Sequence, residues 1–288
     1  MILSMDLSKV TPYIVAWNCK NVKLNYVRGC KLDQDEKMLY ARIDDKVREA
    51  LYGYRLTNLG FLTPGERILA EKYLTGQDAA YFFWGGYDDA ERTLLLLKPD
   101  DDTIPFLPEG NKSLALIRFD SFAEGKVLSH RDYLGSLMGA GLKRDVVGDI
   151  LPYSDGKRQY CDIVVSRSVA GDILANLDRI GRTGVRVREA DIQDLHLPEK
   201  SFKIISDTVA SMRLDAVIAS GFGISRSEAK LLVERGLVSR NYAIELSAGV
   251  NLNQGDILSA RGHGKLELME IGGETKKQRI RIQLKKYI

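Results

Sequence analysis

The chain has 288 residues, a length that suits two domains or three small ones. Hydrophobic residues make up 44% and charged residues 28%, which excludes global disorder, and apolar runs as short as the leucines at 94–97 exclude a helical membrane span. Net charge is only +3, but it is segregated: residues 206–288 carry 13 Lys/Arg against 9 Asp/Glu, and the rest is nearly neutral. Cys19, Cys30 and Cys161 are too few and too scattered for a disulfide framework or a structural zinc site. Residues 1–10 include Asp6 and lack a basic stretch followed by an apolar one, so no secretory signal is expected. A cytoplasmic, reduced protein without metal or cofactor is expected, and a monomer.

Residues 1–32 hold no persistent period. From Asp33 onward Leu39, Ile43, Val47, Leu51 and Tyr54 recur every three or four residues, and Asp33, Asp35 and Glu36 crowd the first turn, which predicts a helix. Thr63-Pro64-Gly65-Glu66 predicts a second helix start, with Thr63 as cap and Glu66 closing a capping box; this helix should end near Leu74 and Gly76. Residues 1–76 therefore read as an N-terminal extension and helical segment.

Residues 77–200 change period. Strands are predicted at 81–84, 93–97, 113–119, 147–151, 159–165 and 185–190, with helices at 129–142 and 168–177 between them. Asp100 to Asp102, with Pro105 and Pro108, marks an acidic loop, and Asp155-Gly156 a hairpin turn. The alternation predicts an α+β sandwich with helices on one face of a sheet, ferredoxin-like or RNA-recognition-motif-like. Leu197-Pro198-Glu199-Lys200 reads as a linker to a third unit at 206–288.

That unit opens with a short helix from Arg213, broken at Gly221-Phe222-Gly223. Ser225-Arg226-Ser227-Glu228 predicts a capped second helix in which Ala229, Leu232 and Val233 are buried and Arg226 and Lys230 share the exposed face. Gly236 closes it; strands follow at 238–246 and 257–261 around a turn at Gln254-Gly255-Asp256. A helix N-terminus offers free N–H groups and a positive dipole to phosphate. Arg226 and Lys230 beside it, and Arg240, Arg261, His263 and Lys265 from the sheet, suit the backbone of structured RNA.

Other features carry two readings. His130 and Asp132 read better as a capped helix start than as a catalytic pair, since no nucleophile or metal-ligand cluster has recognisable spacing. Lys143 and Arg144 suit phosphate or a solvated helix end equally; with His130 and Arg131 they form a second candidate surface for RNA or a partner. Gly139-Ala140-Gly141 follows a helix, which argues against a dinucleotide site. The aromatic run 81–84 reads as core before a base-stacking platform, and Asp88-Asp89 with Glu91-Arg92 as a salt-bridged turn.

Arg213-Leu214-Asp215, Ser225-Arg226-Ser227, Ala229, Gly236-Leu237-Val238, Asn241 and Gly255-Asp256 resemble the S4-type RNA-binding domain of a small-subunit ribosomal protein, pseudouridine synthases and tyrosyl-tRNA synthetases. Arg240 and Tyr242 depart from it, standing where that domain has an apolar residue and a glycine. Gly85-Gly86-Tyr87, Ala90-Glu91-Arg92, the segment from Ser129 to Gly139, Gly141-Leu142-Lys143-Arg144 and Gly148-Asp149-Ile150 resemble the YlmH family, also called photosystem II S4 domain proteins, over residues 35–288. The resemblance implies a cytoplasmic protein that binds rRNA and tRNA on the large ribosomal subunit and acts on stalled, nascent-chain-obstructed subunits. Taken together, these residues put the expected RNA contacts at Arg213, Ser225, Arg226, Ser227, Lys230, Arg240, Asn241, Arg261, His263 and Lys265. Neither DNA nor membrane is expected as a partner. An RNA-modifying enzyme of pseudouridine-synthase type and a protein–protein adaptor are the alternatives; the lone Arg-Leu-Asp, at 213–215, belongs to the S4 pattern.

Overall fold

In a computed structural model, which describes residues 34–106, 112–121, 127–197 and 201–287, the first apolar stripe forms helix α1 (Gln34–Gly53) and buries Leu39, Ile43, Val47 and Ala50. Tyr54 falls past the helix end, exposed, at φ 46°. Strand β1 (Thr57–Leu62) follows, then helix α2 (Pro64–Leu74). The Thr63 capping box forms as expected: the Thr63 N–H donates to Glu66 Oε2 at 2.7 Å and the Glu66 N–H to Thr63 Oγ1 at 3.3 Å. Strands β2 (Ala79–Trp84) and β3 (Thr93–Pro99) complete a three-stranded antiparallel sheet in the order β1-β3-β2.

This sheet differs from the expected grouping. The strand near 93–97 pairs with β1 and the strand near 81–84 pairs with it in turn, and the sheet packs against the N-terminal helices; they are not strands of the central sandwich. The reason lies in the leucines. Leu95 and Leu97 face Leu39 and Ile43 of α1, while Leu94 and Leu96 face Leu116 and Val164 of the next sheet. A strand buried on both faces has no polar side to tell which sheet it joins. β1 itself was unexpected because Gly60 reads as a breaker; a Cβ there would lie 2.5 Å from the Asp145 carbonyl oxygen, so the glycine permits a close backbone approach.

The central unit runs β4 (Leu114–Ser121), α3 (His130–Gly139), β5 (Val147–Ser154), β6 (Gln159–Ser166), α4 (Arg167–Asn176), β7 (Arg179–Ile180) and β8 (Thr183–Ala190). Its sheet has the order β5-β6-β4-β8-β7 and every pairing is antiparallel. Leaving out the two-residue β7, this is the ferredoxin-like βαββαβ order. Tyr133 and Leu137 of α3 and Ala170 and Ile173 of α4 cover one face through Ile117, Phe119 and Ile163. Cys161 is buried there, and burial pushes its thiol up. Pro108, residues 198–200 of the linker, Cys19, Cys30 and residues 1–33 lie outside the described residues.

The C-terminal unit begins at strand β9 (Phe202–Val209), a little before the expected 206. Helices α5 (Leu214–Phe222) and α6 (Arg226–Glu234) precede β10 (Val238–Arg240), β11 (Ala243–Ile244), β12 (Ile257–Ala260), β13 (Gly264–Glu274) and β14 (Ile280–Tyr287). The six-stranded order is β11-β10-β12-β13-β14-β9, and Val217, Ile218, Ala229, Val233, Leu266 and Leu284 form its core. Gly221 does not break α5. It lets the helix lie on the sheet: a Cβ would stand 2.3 Å from Leu266 Cδ1. The helix ends at Gly223, φ 69°. The strand expected over 238–246 is instead a tight hairpin, turned at Asn241 and Tyr242 with φ of 49° and 69°. No helix among the described residues is long and apolar enough to cross a membrane.

Candidate nucleic-acid interface

Arg213 and Arg226 meet at the start of the two C-terminal helices around Asp215, an acid the sequence placed in the S4 pattern without a role. Asp215, 3% exposed, accepts from Arg213 Nε at 3.2 Å and Nη2 at 3.0 Å. The same carboxylate accepts from Arg226 Nη2, 3.2 Å from Oδ1, and lies 3.2 Å from Arg226 Nε through Oδ2. Both guanidiniums stay about half exposed, at 41% and 51%. A guanidinium has five N–H donors, so each keeps several for a ligand. Burial is the largest influence on Asp215 and pushes its carboxyl up; the two guanidiniums together outweigh it and hold the group below the usual carboxylate range.

Ser225 caps α6, its Oγ accepting the Glu228 N–H at 3.1 Å; of the capping box expected there, this is the half that forms. Ser227 is exposed in the first turn. Lys230 lies one turn on, exposed, with Glu234 at 3.6 Å. This end of the module presents two arginines held by Asp215 at a helix N-terminus, with Lys230 and its partner Glu234 further along the helix.

Arg240 and Asn241 do not join them. Asp256, buried in its turn, accepts from Arg240 Nε at 2.9 Å, Asn241 Nδ2 at 2.8 Å and the Asn253 N–H at 2.8 Å. The Asn241 side-chain oxygen Oδ1 in turn accepts the Ile257 N–H at 2.9 Å. These two side chains build the β10–β12 corner. Arg261 is exposed. His263 leans on Phe222 at 5.6 Å, and Lys265 sits between the rings of Tyr242 and Tyr287, 5.2 Å from each centroid. Lys286 lies over Phe222 and Lys285 over Phe202. Lysines therefore interleave with aromatic rings along this sheet. The Lys285-Lys286-Tyr287 alternation in the sequence was the available signal for that band.

The second candidate surface divides. Arg131 and Lys143 are exposed, but the Arg144 guanidinium donates to the Val147 carbonyl at 2.5 Å, and burial, followed by the Arg92 charge, pushes it down to about 10. His130 is pulled below the usual histidine range by desolvation and then by Arg144. Asp132 accepts the Ser129 N–H at 2.8 Å and its hydroxyl at 2.6 Å, the bonding of a helix start. Arg92 is not part of a surface salt-bridged turn. It is 8% exposed and donates to the carbonyls of Phe61, Val147 and Arg144. Asp149 accepts the Tyr87 hydroxyl at 2.6 Å and the N–H groups of Glu91 and Arg92 at 2.7 and 3.0 Å. Tyr87, Arg92, Arg144 and Asp149, far apart in sequence, thus meet in one polar knot between the first and second sheets.

The family model described as "Putative RNA-binding domain in YlmH" matches residues 113–194, the whole ferredoxin-like unit, and the S4 domain model matches residues 212–258. A protein of Bacillus subtilis (strain 168), named ribosome-associated protein quality control protein P2, is 37% identical over 232 residues, covering 80% of this chain and 86% of that relative. A solved structure, the cell division protein ylmH from Streptococcus pneumoniae, aligns at 19% identity and TM-score 0.46 over 58% of this chain and 97% of its own. With an S4 domain behind a ferredoxin-like unit of this type, and that degree of identity over four-fifths of its length, the chain belongs to the YlmH family.

Proposed function

We propose that the chain is a non-catalytic RNA-binding protein that docks on structured RNA of the large ribosomal subunit, rRNA and tRNA, in quality control of stalled nascent chains. It works in the cytoplasm, as a monomer, without cofactor. The observation that carries this reading is the double-arginine clamp on Asp215 beside the Ser225-capped helix. A buried carboxylate that fixes two half-exposed guanidiniums presents fork-shaped donors at a set spacing, which suits phosphates along an RNA backbone. The kinship with a relative named for ribosome-associated quality control supports the setting. In this reading Arg213, Arg226, Ser227 and Lys230 make the first contacts, Arg261, His263 and Lys265 extend them along the sheet, and Ser225, Arg240 and Asn241 hold the frame. Arg131 and Lys143 are a secondary contact.

Co-sedimentation with purified large subunits across a salt series tests it. Each phosphate neutralised lowers the slope of log affinity on log salt by roughly 0.7 to 0.9, so three or four contacts give a slope near −3. Salt-independent association, or equal retention by small and large subunits, overturns it. A modified nucleotide that appears in RNA only with the purified protein overturns the non-catalytic part.

A further inference from the structure

The helix-free face of the central sheet is divided. At one end Leu114, Leu116 and Val164 are covered by the first sheet. At the other end, two rows of side chains cross four strands on that same face. One row pairs Tyr153 with Tyr160, Tyr160 with Asp120, and Asp120 with Arg186. The next pairs Asp162 with Arg118 and Arg118 with Arg188.

Three rings lie close to parallel here. Tyr153 stacks on Tyr160, centroids 5.2 Å apart and planes 18° apart, and on His196, at 4.0 Å and 26°. The chain after β8 crosses the sheet to bring His196 there: the Asp194 carbonyl accepts from Arg118 at 2.7 Å and the His196 N–H donates to Asp162 at 2.9 Å. His196 remains exposed.

Charged side chains flank the rings. Asp162, fully buried, is neutralised by a two-pronged bond from Arg118, both contacts 2.6 Å. Asp120 is paired with Arg158 at 3.2 Å. Arg186 and Arg188 add two more cations at exposed positions. Arg118, Arg158, Arg186 and Arg188 thus lie among four acids, Asp120, Asp162, Asp155 and Asp194. Asp155, beside Tyr160, is bound by the N–H groups of Lys157 and Arg158 in the hairpin turn. One oxygen is left over: Asp120 Oδ1 is buried without a partner among the described residues. A carboxylate oxygen repels phosphate and accepts from an exocyclic amino group.

We propose that this open half of the central sheet is a second RNA site, where unpaired, amino-bearing nucleobases extend the Tyr160–Tyr153–His196 stack and Arg188 meets the backbone. The proposal rests on the reading of the chain as an RNA-binding protein and adds to it a single-stranded ligand and a place. Stacking on aromatic rings is how sheet surfaces hold splayed bases in general.

The test uses the full chain and a ten-nucleotide cytidine oligomer carrying one 5-iodocytidine. Irradiation and peptide mapping should place crosslinks on Tyr153, Tyr160 or His196; crosslinks confined to residues 202–287 overturn the proposal. Tyr153→Ala with Tyr160→Ala should weaken the oligomer by about tenfold or more, while Tyr153→Phe with Tyr160→Phe stays within about threefold of the parent. If circular dichroism shows the alanine variant unfolded, His196→Ala with Arg188→Glu, both at exposed positions, replaces it with the same expected loss. Unchanged affinity in a folded variant, tighter binding of a uridine oligomer, or equal displacement by a polyglutamate peptide each overturns the site. A base-paired RNA hairpin serves as the control. If the hairpin still binds, only the sheet site has failed; if neither RNA binds, the RNA-binding reading has failed with it.

Discussion

Asp215 and Arg226 are 11 residues apart in the chain, yet Arg226 Nε lies 3.2 Å from Asp215 Oδ2 across the turn between two short helices. The acid is buried and the base is half in water. This contact has opposite consequences for charge and for order. On the proposed RNA surface the carboxylate subtracts a charge, and it removes the rotamer freedom of two long side chains before any polyanion binds.

Asp215→Asn separates the two. It raises the net charge of the module by one, so a purely electrostatic surface would bind RNA more tightly. A surface that depends on placed arginines binds more weakly, and we expect a loss of about tenfold from two side chains that must now be ordered on binding. Folding should lose about 1–2 kcal/mol, less than for a wholly buried pair, because the freed guanidiniums reach water. Titration of a hairpin RNA at two salt concentrations decides between the signs, and tighter binding refutes the positioning role.

The same carboxylates set an acid limit. In Asp256 burial is again the largest influence and pushes upward; the Asn253 N–H, Asn241 and Arg240 bring the net shift below the usual range, as the arginines do for Asp215. Both groups are therefore more acidic folded than unfolded. Their stabilisation is complete above the unfolded value of about 3.9 and is lost as pH falls through the lower folded values. The melting difference between the parent chain and Asp256→Asn should be widest near neutrality and shrink below about pH 4. A difference that stays constant down to about pH 2.5 contradicts this.

Arg226 and Lys230 share a helix face in the sequence, but substitutions there have unlike effects. Lys230→Glu changes an exposed side chain and should move stability by no more than about 0.5 kcal/mol while reducing the salt slope of RNA binding by about one. Arg226→Glu sets a second carboxylate against buried Asp215 and should cost about 2 kcal/mol or more. Loss of RNA binding in Arg226→Glu thus mixes contact with folding, and Arg226→Gln is the cleaner probe. Equal melting temperatures for the two glutamate variants would show that Asp215 and Arg226 do not interact in solution.

Helix starts were legible because capping is local: Thr63 and Ser225 meet their partners three residues away. The βαββαβ alternation of the central unit was legible for the same reason, since period and turn residues are read within a short window. Sheet membership was not. The leucines at 94–97 are apolar on both faces, and pairing with 57–62 or with 114–121 satisfies them equally on paper. At the candidate site the cations were legible and their acids were not. Asp215 looks like an ordinary first-turn acid until Arg226 is folded onto it, and the partner of Arg240 and Asn241 is the distant Asp256. Tyr242 shows the limit of resemblance: where the related domains have glycine, this chain keeps φ 69° and uses the ring to flank Lys265.

The knot at Asp149 gives the last prediction. Three donors converge on this 9%-exposed carboxylate, and the neighbouring Arg92 guanidinium bonds the Phe61 carbonyl of β1 and the Val147 carbonyl of β5. Asp149→Asn keeps the shape but turns one acceptor into a donor facing donors already in place, and it weakens the charge-assisted bonds that remain. A loss of about 2–4 kcal/mol is expected. Burial first, then Asp149, pushes the Tyr87 phenol up, so it stays protonated and donating across the physiological range. Tyr87→Phe deletes one of the three bonds and should cost about 1 kcal/mol. Denaturant melts should rank Asp149→Asn well below Tyr87→Phe, with Arg131→Ala and Lys143→Ala near the parent because both are exposed. Hairpin-RNA affinity, measured where every variant remains folded, should not follow that ranking, since the knot lies between the first two sheets and the clamp lies on the helices of the C-terminal unit. If affinity falls in step with stability across the series, the knot belongs to the RNA site and the division of roles between the units is wrong.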